Sequence, residues 1–445
     1  MFQRVLVANR GEIAVRIIYA LKELGIESVA IYSEADRDSL HVALADYAVC
    51  VGPPDARKSY LNIPQILSAA QVTGVDAIHP GYGFLAESPE FARIVEEHGF
   101  VFIGPNPETM ELAGDKLAAK KVMREVGVPV VPGTDEATES PAQALQWIES
   151  VGGFPVILKA RMGGGGRGMR IIRSAEELAP AMSIARLEAQ SAFGDPGLYM
   201  EKYLERPRHV EIQVAADRHG NVVALGEREC SVQRRYQKLL EESPAVDPEL
   251  RERMQEAAVR GARALKYSSV GTFEFLVTPE GDFYFIELNT RLQVEHPVTE
   301  FVTGIDLVRT QILAAAGEPL PFRQEDIQLQ GHAIEVRVNA EDPENRFAPT
   351  PGRIEKLHLP GGPGVRVDSH IYQGYIVPPF YDSLLAKVIV HDESRPQAIR
   401  RMIRALEEFY IEGVKTTIPF HLKLLAHPAF QEGKVDVGFV ERELL

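Results

Sequence analysis

The 445 residues include only two cysteines and a single tryptophan. Cys50 and Cys230 are too few for a disulfide framework, and neither sits in a CxxC or Cys/His zinc pattern, which suits a reducing, cytoplasmic setting. No apolar run approaches the ~18–20 residues of a membrane span, so no membrane association is expected. No cleavable leader is expected, since Met1-Phe2-Gln3-Arg4 runs straight into strand-like Val5-Leu6-Val7-Ala8. Positive charge is scarce: 48 basic against 63 acidic side chains leave a formal charge of −15. That balance argues against a nucleic-acid partner, whose backbone is held by Lys and Arg. Repeats and low-complexity segments are absent. What remains is 45% hydrophobic and 25% charged residues, an ordinary globular composition with length for roughly two to four domains.

The first hundred residues alternate two periods. Val5 to Ala8 reads as a buried strand, and Ile13, Ile17, Leu21 and Leu24 recur at helical spacing. Strand patterns at 28–32, 47–51, 75–78 and 100–103 are separated by helical ones at 63–70 and 88–97, the latter with Pro89 near its start. This β-α-β alternation predicts an α/β fold with a parallel sheet covered on both faces. Gly81-Tyr82-Gly83-Phe84-Leu85-Ala86 matches G-x-G-x-x-A but follows the fourth strand, so a glycine turn at a strand end is preferred to a dinucleotide site. Beyond Gly104-Pro105 lie a helical stretch and a smaller unit carrying a glycine run. From about residue 204 the chain is strand-rich, with Val210, Ile212 and Val214 alternating with His209, Glu211 and Gln213. Asp247-Pro248 begins a helix, and strands at 271–277 and 282–288 form a hairpin through Pro279-Glu280-Gly281.

Three stretches carry chemistry. In the first, a strand bearing Lys159 leads into Gly163-Gly164-Gly165-Gly166-Arg167-Gly168, and a second strand returns. No G-K-[ST] closes it and no helix follows, so it is not a P-loop. It reads as a glycine hairpin over a triphosphate, where bare backbone N–H groups approach phosphate oxygens; a flexible surface loop is the alternative. In the second, Glu274 lies between Phe273 and Phe275, and Glu287 and Asn289 share one face of the next strand. Two carboxylates and an amide oxygen on one hairpin suit Mg²⁺ beside phosphates, unless that face is simply solvated. In the third, Arg291, Gln293 and Glu295 alternate beyond the metal candidates, a pairing of cation and base suited to a small anion that must lose a proton; the alternative is a surface ion pair.

These stretches, with Asn9-Arg10-Gly11-Glu12-Ile13-Ala14, His79-Pro80-Gly81-Tyr82-Gly83-Phe84-Leu85, Met200-Glu201-Lys202-Tyr203, Arg208-His209-Val210-Glu211, Gln233-Arg234-Arg235, Asn339-Ala340-Glu341-Asp342-Pro343 and Tyr381-Asp382-Ser383, resemble biotin carboxylase over essentially the whole chain. The resemblance implies an ATP-grasp fold divided into an N-terminal parallel α/β (Rossmann-like) domain at 1–112, a helical linker at 113–130, a glycine-hairpin lid subdomain at 131–203 and a C-terminal mixed α/β domain at 204–445. It implies ATP-dependent carboxylation of biotin by bicarbonate through carboxyphosphate. Lys116 and Lys159 would meet ATP phosphates beneath a lid of Gly163, Gly164, Gly165, Gly166 and Gly168. Glu201, Lys202, Leu204, His209 and Gln233 would line the adenine and ribose pocket. Glu274, Glu287 and Asn289 would hold Mg²⁺ (or Mn²⁺). Arg291, Gln293 and the Val294 backbone would bind bicarbonate, with Glu295 as its base and Lys238 stabilising carboxyphosphate. Arg337 would hold the biotin ureido oxygen, with Tyr82 bordering that pocket.

One position departs from the family. Its Gln-Arg-Arg-His-Gln-Lys run here reads Gln233-Arg234-Arg235-Tyr236-Gln237-Lys238, which puts a neutral phenol in place of an imidazole near the ATP phosphates. No Met-Lys pair occurs, so the biotin is expected on a separate biotin carboxyl carrier protein, with the carboxyltransferase separate too. This arrangement resembles the carboxylase component of an acetyl-CoA carboxylase built from several subunits, and the family suggests a homodimer. The competing expectations are an ATP-grasp ligase joining a carboxylate to an amine and a catalytically silent ATP-binding protein.

Overall fold

A computed structural model describes residues 1–162 and 169–445. The N-terminal sheet is five-stranded and wholly parallel, in the order Tyr47–Gly52, Glu27–Ser33, Arg4–Val7, Ala77–His79, Val101–Phe102. Its order reverses at Arg4–Val7, so the loops after this strand and after Ala77–His79 part at the carboxyl ends of the sheet and leave a crevice there. Asn9 spans it, its side-chain amide donating to the carbonyls of Pro80 and Tyr82, each at 2.7 Å. Gly81 takes φ +65°, and a Cβ there would lie 2.9 Å from the Asn9 amide nitrogen, so the turn requires glycine. Helix ends follow local chemistry: Ser88 caps Pro89–Glu97 and Asp247 caps Pro248–Ala264, each followed by proline in the first turn.

A three-stranded antiparallel sheet, Arg170–Ile172, Val156–Ala160 and Leu198–Lys202, packs on the helices Pro141–Ser150 and Ala175–Phe193. The largest sheet has eight strands, ordered Phe283–Asn289, Ser269–Val277, Arg208–Ala216, Val222–Arg234, Gln237–Ser243, His332–Asn339, Leu384–Asp392, Val365–Ser369. One face of its first three strands is apolar: Val210, Ile212, Val214, Phe273, Phe275 and Phe285 pack on the helix Pro248–Ala264. The other face carries His209, Glu211, Gln213 and Glu274, all buried. Alternation therefore marks two buried faces here, one apolar and one ionic.

Arg10 and Asp36 pair in the N-terminal domain at 2.6 and 2.8 Å, and Tyr60 donates its hydroxyl to the same carboxylate at 2.5 Å. Burial alone would raise the Asp36 carboxyl, yet the Arg10 hydrogen bonds and charge hold it at about 2. A depressed carboxyl stabilises the fold fully above its unfolded pKa and loses that contribution as pH falls through the folded value. The window therefore runs from about pH 4 down to about pH 2, with roughly 2–3 kcal/mol at stake. Urea unfolding should show Asp36→Asn markedly less stable than the parent at neutral pH, with the gap narrowing across that window. A gap unchanged with pH would remove Asp36 from the acid response.

Candidate active site

A cavity of about 1330 Å³ opens among the three sheets. Outside the glycine run, every residue singled out from the sequence lines it. Tyr82 comes from the N-terminal loops, Lys116 from a helix packed on the large sheet's strand Phe283–Asn289, and Lys159, Glu201, Lys202 and Leu204 from the side of the small sheet. His209, Gln233, Tyr236, Lys238, Glu274, Glu287, Asn289, Arg291, Gln293, Val294, Glu295 and Arg337 come from the large sheet and its connections. Gly163, Gly164, Gly165, Gly166 and Gly168 lie outside the described residues.

One wall is crowded with lysines. Lys116 opens the helix Lys116–Glu125, whose first turn is capped by the Asp115 carboxylate. Lys120 follows one helical turn later, and Lys159 projects from Val156–Ala160. Lys159 donates to Glu201 at 2.6 Å, Lys120 contacts the same carboxylate, and Lys116 stands 3.2 Å from Glu287. Three lysines thus share two carboxylates: burial and the neighbouring cations lower Lys120 well below its ordinary value and Lys159 to about 7, while Glu287 helps keep Lys116 raised, so an arriving anion would draw protons onto this wall. At the other end of the wall, the Lys202 ammonium bonds the Gly153 carbonyl at 2.8 Å. Tyr236 sits half-exposed in the tight turn between Val222–Arg234 and Gln237–Ser243, where it and Arg235 both take positive φ.

The floor is an ion cluster on the polar face of the large sheet. Lys238 donates to Glu211 and Glu295 at 2.6 Å, to Glu274 at 3.0 Å and to Gln293 at 3.2 Å. Burial works against its charge, but the surrounding carboxylates raise the ammonium well above its ordinary value. Glu295 is buried between Lys238 and Arg337, the latter at 3.0 Å. Burial would push its carboxyl up, yet Lys238, Arg337 and Arg228 hold it far below the usual range, so it is ionised at neutral pH. Arg337 also donates Nε and Nη2 to Glu241, at 2.8 and 2.5 Å. Arg291 bonds Glu87 at 3.0 Å and the Asn289 side-chain oxygen at 3.1 Å.

Glu274 and Glu287 are cross-strand partners, as are Thr272 and Asn289. Their side chains point to different neighbours. Glu274 accepts from Lys238, from the Asn289 amide at 2.9 Å and from Gln293 at 3.1 Å, and lies 3.0 Å from His209, whereas Glu287 faces Lys116. The solvated-face alternative fails at Glu274, which is only 6% exposed, whereas Glu287 is partly exposed toward the cavity. Two carboxylates on one strand pair, beside the lysine wall, fit a divalent cation carrying a polyphosphate.

Several members of the cluster carry no signature in the sequence. Fully buried Arg228 bonds Glu211 at 2.6 Å, Gln213 at 2.7 Å and Thr299 at 2.8 Å, closing the floor from beneath. Glu241, Glu87 and Lys120 are likewise unmarked. Arg228 stands between Glu227 and Glu229, Glu241 beside Glu242, Glu87 in a turn before the helix Pro89–Glu97, and Lys120 beside Lys121, all ordinary settings for solvent-facing charges. Only their pairing across strands distant in sequence exposes their role.

A small antiparallel sheet facing a larger antiparallel sheet across a lysine-walled, carboxylate-floored cavity defines an enzyme of the ATP-grasp class. Residues 1–110 match the biotin carboxylase N-terminal domain, residues 115–323 the ATP-binding domain of the carbamoyl-phosphate synthase L chain, and residues 335–442 the biotin carboxylase C-terminal domain. The chain belongs to the biotin carboxylase family and is an ATP-dependent carboxylase. It is 54% identical to biotin carboxylase 1 of Bacillus subtilis, covering 99% of this chain and 98% of that one. It is also 54% identical to a pyruvate carboxylase subunit of Methanothermobacter thermautotrophicus, covering 99% and 90%. Among solved structures, the Campylobacter jejuni biotin carboxylase–β-γ-ATP complex matches with TM-score 0.97 at 48% identity, covering 100% of this chain and 99% of that one. The biotin carboxylase domain dimer of Hydrogenobacter thermophilus 2-oxoglutarate carboxylase, bound to MgADP, ADP and bicarbonate, matches with TM-score 0.96 at 49% identity, covering 99% and 97%. Among the described residues no helix is long and apolar enough to cross a membrane.

Proposed function

We propose that the chain carboxylates biotin on a separate biotin carboxyl carrier protein, as the first half-reaction of an acetyl-CoA carboxylase built from several subunits and serving fatty acid synthesis. The observation that carries the chemistry is the ionised Glu295 held between Lys238 and Arg337 beside the lysine wall. Relatives named biotin carboxylase support this half-reaction, and the acetyl-CoA acceptor rests on the family resemblance and the missing Met-Lys pair. The equally similar pyruvate carboxylase relative supports a second reading, in which the carboxyl passes to a keto acid. Transfer from carboxylated carrier to acetyl-CoA or to pyruvate separates the two.

Arg291, Gln293 and the Val294 backbone hold bicarbonate, and Glu295 takes its proton as it attacks the γ-phosphorus of ATP. ADP leaves and carboxyphosphate forms. Glu295 is a weak base while Lys238 and Arg337 hold it down; as these cations turn to the anionic substrate, its basicity rises. Lys116 and Lys159 bind the phosphates, and Glu201, Lys202, Leu204, His209 and Gln233 line the nucleoside pocket with Tyr236 at its rim. Glu274, Glu287 and Asn289 hold Mg²⁺ (or Mn²⁺), whose contribution is neutralisation of charge on the transferring phosphoryl group. Lys238 then stabilises carboxyphosphate, which breaks down to CO₂ and phosphate in a water-excluded site. Phosphate removes the ureido proton, and the ureido nitrogen attacks CO₂. Arg337 holds the charge that develops on the ureido oxygen, beside Tyr82.

The dimeric Hydrogenobacter relative supports a homodimer. Unpaired Cys50 and Cys230 suit the cytoplasm. We also divide the chain at 1–112, 113–130, 131–203 and 204–445; strand membership supports these limits, since all eight strands of the large sheet fall after residue 204. ATP hydrolysis measured with and without bicarbonate and free biotin tests the activity. Hydrolysis should require bicarbonate and rise with biotin, and a chelator should abolish it until Mg²⁺ is restored. Stimulation by an amino acid in place of bicarbonate would instead favour an amine ligase.

A further inference from the structure

Lys387, in the middle of Leu384–Asp392, is fully buried and lies outside the cavity lining. A buried ammonium persists only where partners replace its water. Its Nζ donates to the Val294 carbonyl at 2.8 Å and stands 3.3 Å from Glu12 and 3.8 Å from Asp368. Glu12 belongs to the N-terminal helix Gly11–Glu23, and its carboxylate accepts the Tyr82 hydroxyl. Three segments far apart in sequence thus meet at one charge: the Tyr82–Glu12 pair, the 291–295 connection and the strand Val365–Ser369. Arg337 is the cross-strand partner of Lys387, and the Glu335 carboxylate acts on the same ammonium.

Charge balance for Glu12 and Asp368 would not require the bond to Val294. That bond fixes the carbonyl, and with it the peptide plane from which Glu295 springs. We propose that Lys387 is a positioning residue that ties the Tyr82–Glu12 edge of the biotin pocket to the Val294 carbonyl, and so sets the backbone that receives bicarbonate. The inference rests on the biotin carboxylase reading of the site. Because Lys387 touches no substrate, its removal acts on bicarbonate through Val294 and Glu295 and leaves the lysine wall unaltered.

The test compares Lys387→Met in the full chain with the double variant Lys387→Met/Glu12→Gln, which restores local charge balance. KM values for bicarbonate and ATP are read from bicarbonate-dependent ATP turnover. The bicarbonate KM should rise on the order of tenfold in both variants, the scale of one charge-assisted hydrogen bond, with the ATP KM within about twofold of the parent. Tyr82→Phe should shift the bicarbonate KM in the parent background and leave it unchanged in Lys387→Met, as a linked pair requires. An unchanged bicarbonate KM, a parallel rise for ATP, or a Tyr82→Phe effect of equal size in both backgrounds would overturn the proposal. Failure of both variants to bind ATP would assign Lys387 to the fold alone and overturn it equally. If the parent itself shows no bicarbonate-dependent turnover, the functional reading fails before this inference is reached.

Discussion

Arg337→Ala is expected to lower carboxylation of free biotin by roughly 10²-fold or more while leaving the ATP KM near the parent value, the scale of a lost oxyanion donor. The guanidinium is held by Glu241 on one side and Glu295 on the other, so its fork is aimed before substrate arrives. It makes no contact with Lys116, Lys159 or Glu201, which is why nucleotide binding should survive. Arg337→Lys separates charge from geometry: an ammonium cannot reproduce the two bonds to Glu241, so most of the loss should remain. Steady-state rates with saturating ATP and bicarbonate and varied biotin give the measurement. Near-normal carboxylation by Arg337→Ala would remove it from the reaction.

The second large effect belongs to Lys238. Among the described residues it is the one cation in direct contact with Glu211, Glu274 and Glu295 together, so Lys238→Met leaves three buried carboxylates with a shared partner gone. Removing one member of a buried ion cluster typically costs about 3–5 kcal/mol. Bicarbonate-dependent turnover should fall below detection, because Glu295 loses its partner and carboxyphosphate its stabilising charge. Urea unfolding and turnover on the same preparation decide the matter. A variant as stable as the parent would show that Arg228, which also bonds Glu211, balances the cluster by itself.

Much of the architecture is legible in the sequence because local physics decides it. Capping by Ser88 and Asp247, the period of Ile13, Ile17 and Leu21, and the Phe273–Glu274–Phe275 alternation each report a neighbourhood of a few residues. The site is legible where charges interrupt a strand at its end, as in Asn289-Thr290-Arg291 and the residues after it. It is illegible where the same alternation has two meanings. Ile334-Glu335-Val336-Arg337-Val338 reads as half solvent-facing by pattern, yet Glu335 is fully buried against Gln237–Ser243. Resemblance alone marks Arg337. Nothing local marks Glu241, Arg228 or Lys387, because their partners lie between 15 and 96 residues away in the hydrogen bonds they make. The nineteen-residue helix Ala175–Phe193 also goes unread, since Pro180 and its polar run obscure the period.

The most direct measurement is transfer of label from isotopic bicarbonate into free biotin by the purified chain. Incorporation should require MgATP, bicarbonate and biotin together, yield one ADP per carboxyl fixed or more, and fall sharply in Glu295→Gln, whose amide cannot accept the bicarbonate proton. Absence of label in biotin under those conditions, with ATP hydrolysis indifferent to bicarbonate, would contradict the assignment of this cavity to biotin carboxylation.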